Sequence, residues 1–226
     1  MTSGPPAQSV EVPARTLARF EAFSLFNSPY PAHDTGCAID LYPGGGREAV
    51  APSPVAGTVT TTRTVRAPPK SYAATEDYLT VIDTGDRLAR ILHVRPTVES
   101  GDTVQVGDPL GRLVRSGYFA PWVDNHVHLG FRPADGDALR ASGSLPVTVG
   151  VDVTAVPWDG GGIVVETAET FIRLDTPTHP HPGDGFAGIA AGPSASNGAL
   201  DGGLPHYDGG GRLGGTQTRD TVELAG

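Results

Sequence analysis

Apolar and polar residues alternate with a period of two along most of residues 37–131, the signature of half-buried strands rather than helices. The pattern predicts strands over CAIDLY (37–42), EAVAPS (48–53), AGTVTTTRTV (56–65) and DYLTVIDTG (77–85), then LARILHV (88–94), DTVQVGD (102–108), PLGRLVR (109–115) and NHVHLGF (125–131). Most are short, rich in β-branched residues and bounded by Gly, Pro or Asp, which turn or interrupt a chain. A second strand-rich stretch lies within 145–175, in PVTVGVDVTAV, GGIVVETA and TFIRLDT. The opening segment offers at most a short strand or helical turn, in EVPARTLARFEAF. The end of the chain is dominated by Gly, Pro, Ser and Asn, too poor in apolar groups for a second core. The expected units are an opening segment (1–30), a β domain (31–135), a β-rich extension (136–175) and a Gly/Pro-rich tail (176–226), mobile or laid over the barrel.

Composition agrees with the pattern. Thirty-one glycines and 21 prolines, with few aromatics, favour many short strands and turns, so the predicted class is all-β. The turns in APSPVAGTV (51–59) and VESGDTVQVGDPLGRLV (98–114) resemble the folded-over hairpins of barrel-sandwich hybrids, the architecture of biotinyl and lipoyl domains. The lysine those carriers modify is absent: the sole lysine, Lys70, lies in APPKSY. A net charge of −9 argues against a general affinity for nucleic acid phosphates. Cys37 is the only cysteine, so there is no internal disulfide framework. The N-terminus does not read as a signal peptide and no apolar run is long enough to span a bilayer. A cytoplasmic protein is the default expectation, with export by another route left open.

Five polar residues could act together: His33, Asp40, His93, His126 and His128. Alternation in NHVHLGF places both histidines on one strand face, with Val127 and Leu129 on the other. In CAIDLY, Ala38, Asp40 and Tyr42 share a face opposite Cys37, Ile39 and Leu41. His93 stands at a strand end before a Pro-limited turn. A lone His-x-His is more often solvated decoration than a ligand pair. The second one, His179 and His181 in THPHPG, has flanking prolines and no strand context, and reads as loop. Three His/Asp ligands leave the fourth position of a tetrahedral zinc ion (Zn2+) open, the catalytic form of such a site. Water there is acidified to a pKa of about 7. The remaining imidazoles can accept its proton or donate to an oxyanion.

The elements HDTGCAID, PVAGTV, ILHV, SGDTVQVGDPLGRL and NHVHLGF, in that order, resemble the lysostaphin/LytM-type zinc endopeptidases, over roughly residues 33–133. The resemblance implies a duplicated hybrid motif fold and a metallopeptidase that cleaves a peptide or peptide-containing polymer. It implies zinc held by His33, Asp40 and His128, with His93 and His126 serving catalysis. One spacing departs from the family's His-x-Gly-x-Asp: His33 lies seven positions before Asp40, and an odd interval in a regular strand separates the two faces. His33 joins Asp40 only if PAHDTG forms a loop or bulge. Otherwise Gly36 occupies the ligand position and the first zinc ligand is missing; Cys37, read first as a small buried core residue, is then a candidate substitute. Tyr118 and Trp122 are read either as groove lining or as turn packing, and Asn125 either as a support for the site or as a turn residue. Two other readings stay open. One is a catalytically degenerate member acting as a binding or regulatory module. The other is a sugar-phosphotransfer IIA-type protein, which shares the hybrid barrel and uses two histidines.

Overall fold

A computed structural model describes residues 9–168, 172–192, 198–202 and 210–214. The first elements are β1 (Val10–Pro13), α1 (Ala14–Leu17), β2 (Ala22–Ser24), α2 (Pro31–Asp34), β3 (Ala38–Tyr42) and β4 (Val50–Pro52). β5 (Gly57–Arg66), β6 (Glu76–Asp83), β7 (Arg87–Leu92), β8 (Val94–Pro96), β9 (Thr103–Val104), β10 (Pro109–Leu113) and β11 (Val127–Pro133) follow. The remainder are β12 (Val147–Gly150), β13 (Val153–Val156), β14 (Val164–Thr167), β15 (Ile172–Leu174), β16 (Phe186–Ile189), β17 (Ala199–Asp201) and β18 (Gly211–Leu213).

The fold is nearly all β, as the alternation predicts. A curled seven-stranded sheet has the order β2-β3-β11-β7-β6-β5-β9, and a three-stranded sheet the order β4-β10-β8. The period-two faces are realised in the central strands. Ile39 and Leu41 of β3 and Val127 and Leu129 of β11 are fully buried in one apolar cluster. Burial of each such side chain stabilises by about 1.5–3 kcal/mol. The opposite face of the same strands is left for Asp40 and His128.

Several predicted strands are shorter than their pattern. Of DTVQVGD only Thr103 and Val104 join a ladder. The Asp102 and Asp108 carboxylates accept the Glu99 and Gln105 amides at 2.8 Å each, closing turns on both sides. Such local side-chain bonds compete with sheet pairing. PVTVGVDVTAV breaks between β12 and β13, because the halves pair with different partners, β1 and β16. The opening segment contributes more than its sequence predicts. Val10, Val12, Leu17, Phe20 and Leu25 are all in the core, and β1 runs parallel to β12 with Val10 opposite Val147.

β7 and β8 form one nearly continuous strand that changes sheets. β7 pairs with β11 in the larger sheet and β8 with β10 in the smaller one. The residue at the crossing is His93, which has φ 70, the only positive φ at a non-glycine among the described residues. Parts of the C-terminal region, around Phe186 and Leu213, pack against the rest of the fold. Phe186 meets Phe23 edge-on at 4.9 Å between ring centroids, and Leu213 joins the core. Among the described residues no helix is long and apolar enough to cross a membrane, which says nothing of a β-barrel.

Candidate functional site

Antiparallel register sets His128 of β11 directly opposite Asp40 of β3. Their side chains meet on the face away from the core, with His128 Nδ1 2.9 Å from Asp40 Oδ1. His126, just before β11, brings its Nε2 to 3.2 Å from the other carboxylate oxygen. Asn27 donates through Nδ2 to that oxygen at 2.8 Å and to the Tyr42 hydroxyl at 3.1 Å, fixing the carboxylate's rotation.

His33 reaches the same carboxylate because PAHDTG is neither strand nor irregular loop. Pro31–Asp34 forms a single helical turn, α2, whose residues do not alternate between faces as strand residues do. The turn ends with Gly36 in the left-handed region at φ 65. The Gly36 amide donates to the His33 carbonyl at 3.0 Å and the Cys37 amide to the Ala32 carbonyl at 2.6 Å, the paired bonds of a Schellman cap. His33 Nε2 then lies 3.2 Å from Asp40 Oδ1 and 3.0 Å from His128 Nδ1. The odd interval is absorbed by the turn, and Gly36 terminates the helix rather than standing in for a ligand. Cys37 is only partly buried. Its thiol turns toward the Thr35 carbonyl at 3.6 Å, so it neither fills the core nor replaces a ligand.

His93 joins the cluster through its unusual backbone. Its ring centroid is 5.3 Å from that of His126 and 5.7 Å from that of His128. Asp77, fully buried at the start of β6, accepts from the His93 backbone amide at 3.1 Å and from Nδ1 at 2.6 Å. Asp77 in turn accepts from the Ser116 hydroxyl at 2.7 Å and the Tyr78 amide at 2.7 Å. The Val114 amide donates to the His93 carbonyl at 2.9 Å. A left-handed non-glycine backbone costs on the order of 1–3 kcal/mol and persists only where surrounding bonds over-determine it; here they do. Phe119 stacks obliquely on His126 at 4.3 Å and edge-on to His93 at 4.6 Å, walling that side of the site.

The tautomers can be deduced from the acceptors. His33 Nδ1 faces the Leu25 carbonyl at 2.6 Å and His126 Nδ1 faces the Asp124 carbonyl at 2.8 Å. A carbonyl cannot donate, so both Nδ1 atoms carry the proton and both Nε2 atoms are lone pairs in the neutral rings. Those lone pairs face carboxylate oxygens. Burial alone would raise the Asp40 carboxyl, but the His126 and His33 imidazoles and hydrogen bonds from His128 and His33 hold it well below the usual carboxylate range. Burial pushes His126 and His128 down to about 4 despite the attraction of Asp40. His33, which burial would also lower, is raised by the adjacent Asp40 charge and hydrogen bond. The neutral His126 Nε2 lone pair at 3.2 Å from an anionic oxygen is repulsive, and a positive charge beside them, a metal ion or a proton on a neighbouring imidazole, would relieve it. His33 Nε2, Asp40 Oδ1 and His128 Nδ1 thus form a donor set that could hold a metal ion. Their mutual distances of 2.9–3.2 Å put all three within reach of one zinc ion at about 2.0–2.2 Å each, with the ligands spreading slightly to reach tetrahedral angles.

The remaining sequence candidates are placed as follows. Asn125 does not support the site: its Nδ2 donates to the Arg47 carbonyl at 2.6 Å, tying down a turn. Tyr118 lies beside His93 at 6.2 Å and meets Tyr30, next to α2, edge-on at 6.2 Å. Trp122 is about half exposed (47%) in a turn. His179 and His181 lie in a loop, where the His181 amide donates to His179 Nδ1, and neither belongs to the cluster. Asn27, Asp77 and Phe119 are absent from the sequence reading. No motif marks them, and each acts through a partner on another element or loop, Asn27 on Asp40, Asp77 on His93 and Phe119 on His126.

Two family models match the chain. One, described as the N-terminal domain of a domain of unknown function (DUF8155), covers residues 11–149; the other, its C-terminal domain, covers 154–226. No curated protein matches. Among solved structures, that of LytU is similar at 18% identity and a TM-score of 0.37, over 55% of this chain and 80% of LytU. Pseudoalterin, an M23 metalloprotease from the deep sea, is similar at 17% identity and TM-score 0.35, over 58% of this chain and 75% of its own. The solution structure of lysostaphin is similar at 17% identity and TM-score 0.34, over 54% and 46%. Likeness at these scores carries no functional weight.

Proposed function

This chain belongs to the DUF8155 family, and we propose that it is a zinc-dependent metallohydrolase that cleaves a peptide or related amide bond. The observation that carries the reading is the convergence of His33 Nε2, Asp40 Oδ1 and His128 Nδ1 within 2.9–3.2 Å of one another. In this reading those three residues hold zinc. When bound, zinc supplies a Lewis acid and acidifies water at neutral pH.

The other residues handle protons and position. His93 donates a hydrogen bond through Nδ1–H to the buried Asp77 carboxylate, which leaves Nε2 as the one ring atom able to take a proton from attacking water. His126 is likewise committed at Nδ1, to the Asp124 carbonyl. An imidazole that has taken a proton at Nε2 becomes a donor to the oxyanion of the tetrahedral intermediate. Asn27 keeps Asp40 from rotating out of the set.

The test is hydrolysis of glycine-containing peptides by the purified chain, with cleavage abolished by a chelator and restored by zinc. His93→Ala should remove turnover while retaining the metal. Zinc binding without hydrolysis of any peptide would instead make the chain a binding module, the second reading of its sequence.

A further inference from the structure

The C-terminal region contributes one buried charge near the site that the mechanism above does not use. Asp201, at the end of β17, is 6% exposed. A buried carboxylate is costly unless hydrogen-bonded, and all its hydrogen-bond donors come from one place. Asp201 Oδ2 accepts from the Leu25 amide at 2.6 Å and the Phe26 amide at 3.2 Å, and Oδ1 accepts a short bond from the Ser24 hydroxyl. Ser24 is the last residue of β2 in register with β3, opposite Asp40 itself. Asp201 therefore catches the chain where the ladder stops. The caught segment supplies the Leu25 carbonyl that holds His33 Nδ1 and the Asn27 amide that holds Asp40. Packing leaves no slack: a Cβ on the adjoining Gly202, itself at φ 80, would lie 1.9 Å from the Phe26 carbonyl oxygen.

We propose that Asp201 is a positioning residue for the metal centre, through which the C-terminal region sets the tautomer and placement of His33. The inference rests on the metal reading above. Hydrogen-bond partners of metal-binding histidines orient the ring, and their loss costs about 10–100-fold in metal affinity; Asp201 acts one bond further out, by fixing the carbonyl that His33 addresses.

Three substitutions separate geometry from charge. Asp201→Asn keeps the geometry: Oδ1 can accept both amides while Nδ2 donates to Ser24 Oγ. Asp201→Glu keeps the charge but displaces it by a methylene, and Asp201→Ala removes both. In the full chain, zinc affinity is measured by competition with a chromophoric chelator, at a temperature where circular dichroism shows each variant folded. Long-range 1H–15N NMR of the metal-free protein reads the His33 tautomer. Asp201→Asn should bind zinc close to wild type and keep His33 protonated at Nδ1. Asp201→Glu and Asp201→Ala should weaken binding about 10–100-fold and release the tautomer into a mixture. If Asp201→Ala fails to fold, the Asn/Glu pair still decides. Equal affinity and the same tautomer in all variants would overturn the proposal, as would a Glu variant that behaves as wild type beside an Asn variant that does not. A wild-type chain that takes no zinc would defeat the metal reading, while the tautomer would still report whether Asp201 positions His33.

Discussion

Asp40 and His33 reach one site with two kinds of support. Asp40 and His128 face each other across a regular ladder, with Ile39, Leu41, Val127 and Leu129 buried behind them. Their placement follows from strand periodicity and would survive many local changes. His33 stands on a single helical turn, held by one left-handed glycine, one carbonyl and, through that carbonyl's neighbours, a carboxylate from the far end of the chain. The half of the site built on the sheet is robust, and the half built on the α2 turn is conditional on distant contacts.

The largest effect separating the two halves is expected from Asp40→Ala. It removes the carboxylate shared by three imidazoles, so zinc affinity should fall by more than the ~100-fold that marks loss of a supporting partner. The ladder should keep the protein folded by circular dichroism. Asp77→Asn comes next: with the His93 tautomer no longer enforced, turnover should fall by about 10²–10⁴ while the zinc content stays that of wild type. Gly36→Ala tests the α2 turn directly. A left-handed alanine costs about 1–2 kcal/mol, and its Cβ would press on the Phe26 ring at 3.1 Å. Gly85→Ala carries a comparable backbone penalty at φ 96 with nothing within 4 Å. Both should lower the melting temperature, but only Gly36→Ala should weaken zinc.

The smallest effect lies in acid stability. Burial would raise the Asp77 carboxyl, but the His93 charge and hydrogen bonds from His93, Ser116 and Tyr78 lower it. A depressed carboxyl stabilises the fold fully above its unfolded pKa, near 3.9, and loses that contribution as pH falls through the folded value. The stability gap between wild type and Asp77→Asn, measured by denaturant titration, should narrow as pH falls below about 4.

The same division governs what could be read from the sequence. Period-two alternation marked the central strands, put Asp40 and His128 on the face opposite the apolar residues, and separated His126 and His128 from Val127 and Leu129. It could not reveal that PAHDTG makes a helical turn, because four residues ending in a Gly-capped reversal leave no periodic trace. Nor could it reveal that one strand changes sheets at His93, which depends on β8 pairing with β10 rather than β11. Asp77 and Asp201 carry no local signature, since a buried carboxylate is defined by donors brought to it from other parts of the fold. The opening segment was under-read for the same reason: β1 is a strand only because β12 lies beside it.

Zinc stoichiometry of the purified full chain and of His33→Ala tests the central claim most directly. The expected result is one zinc ion per wild-type chain and its loss in His33→Ala, with the variant still folded. A wild-type chain without stoichiometric metal, or a His33→Ala chain that retains it, would contradict the assignment of His33, Asp40 and His128 as a metal centre.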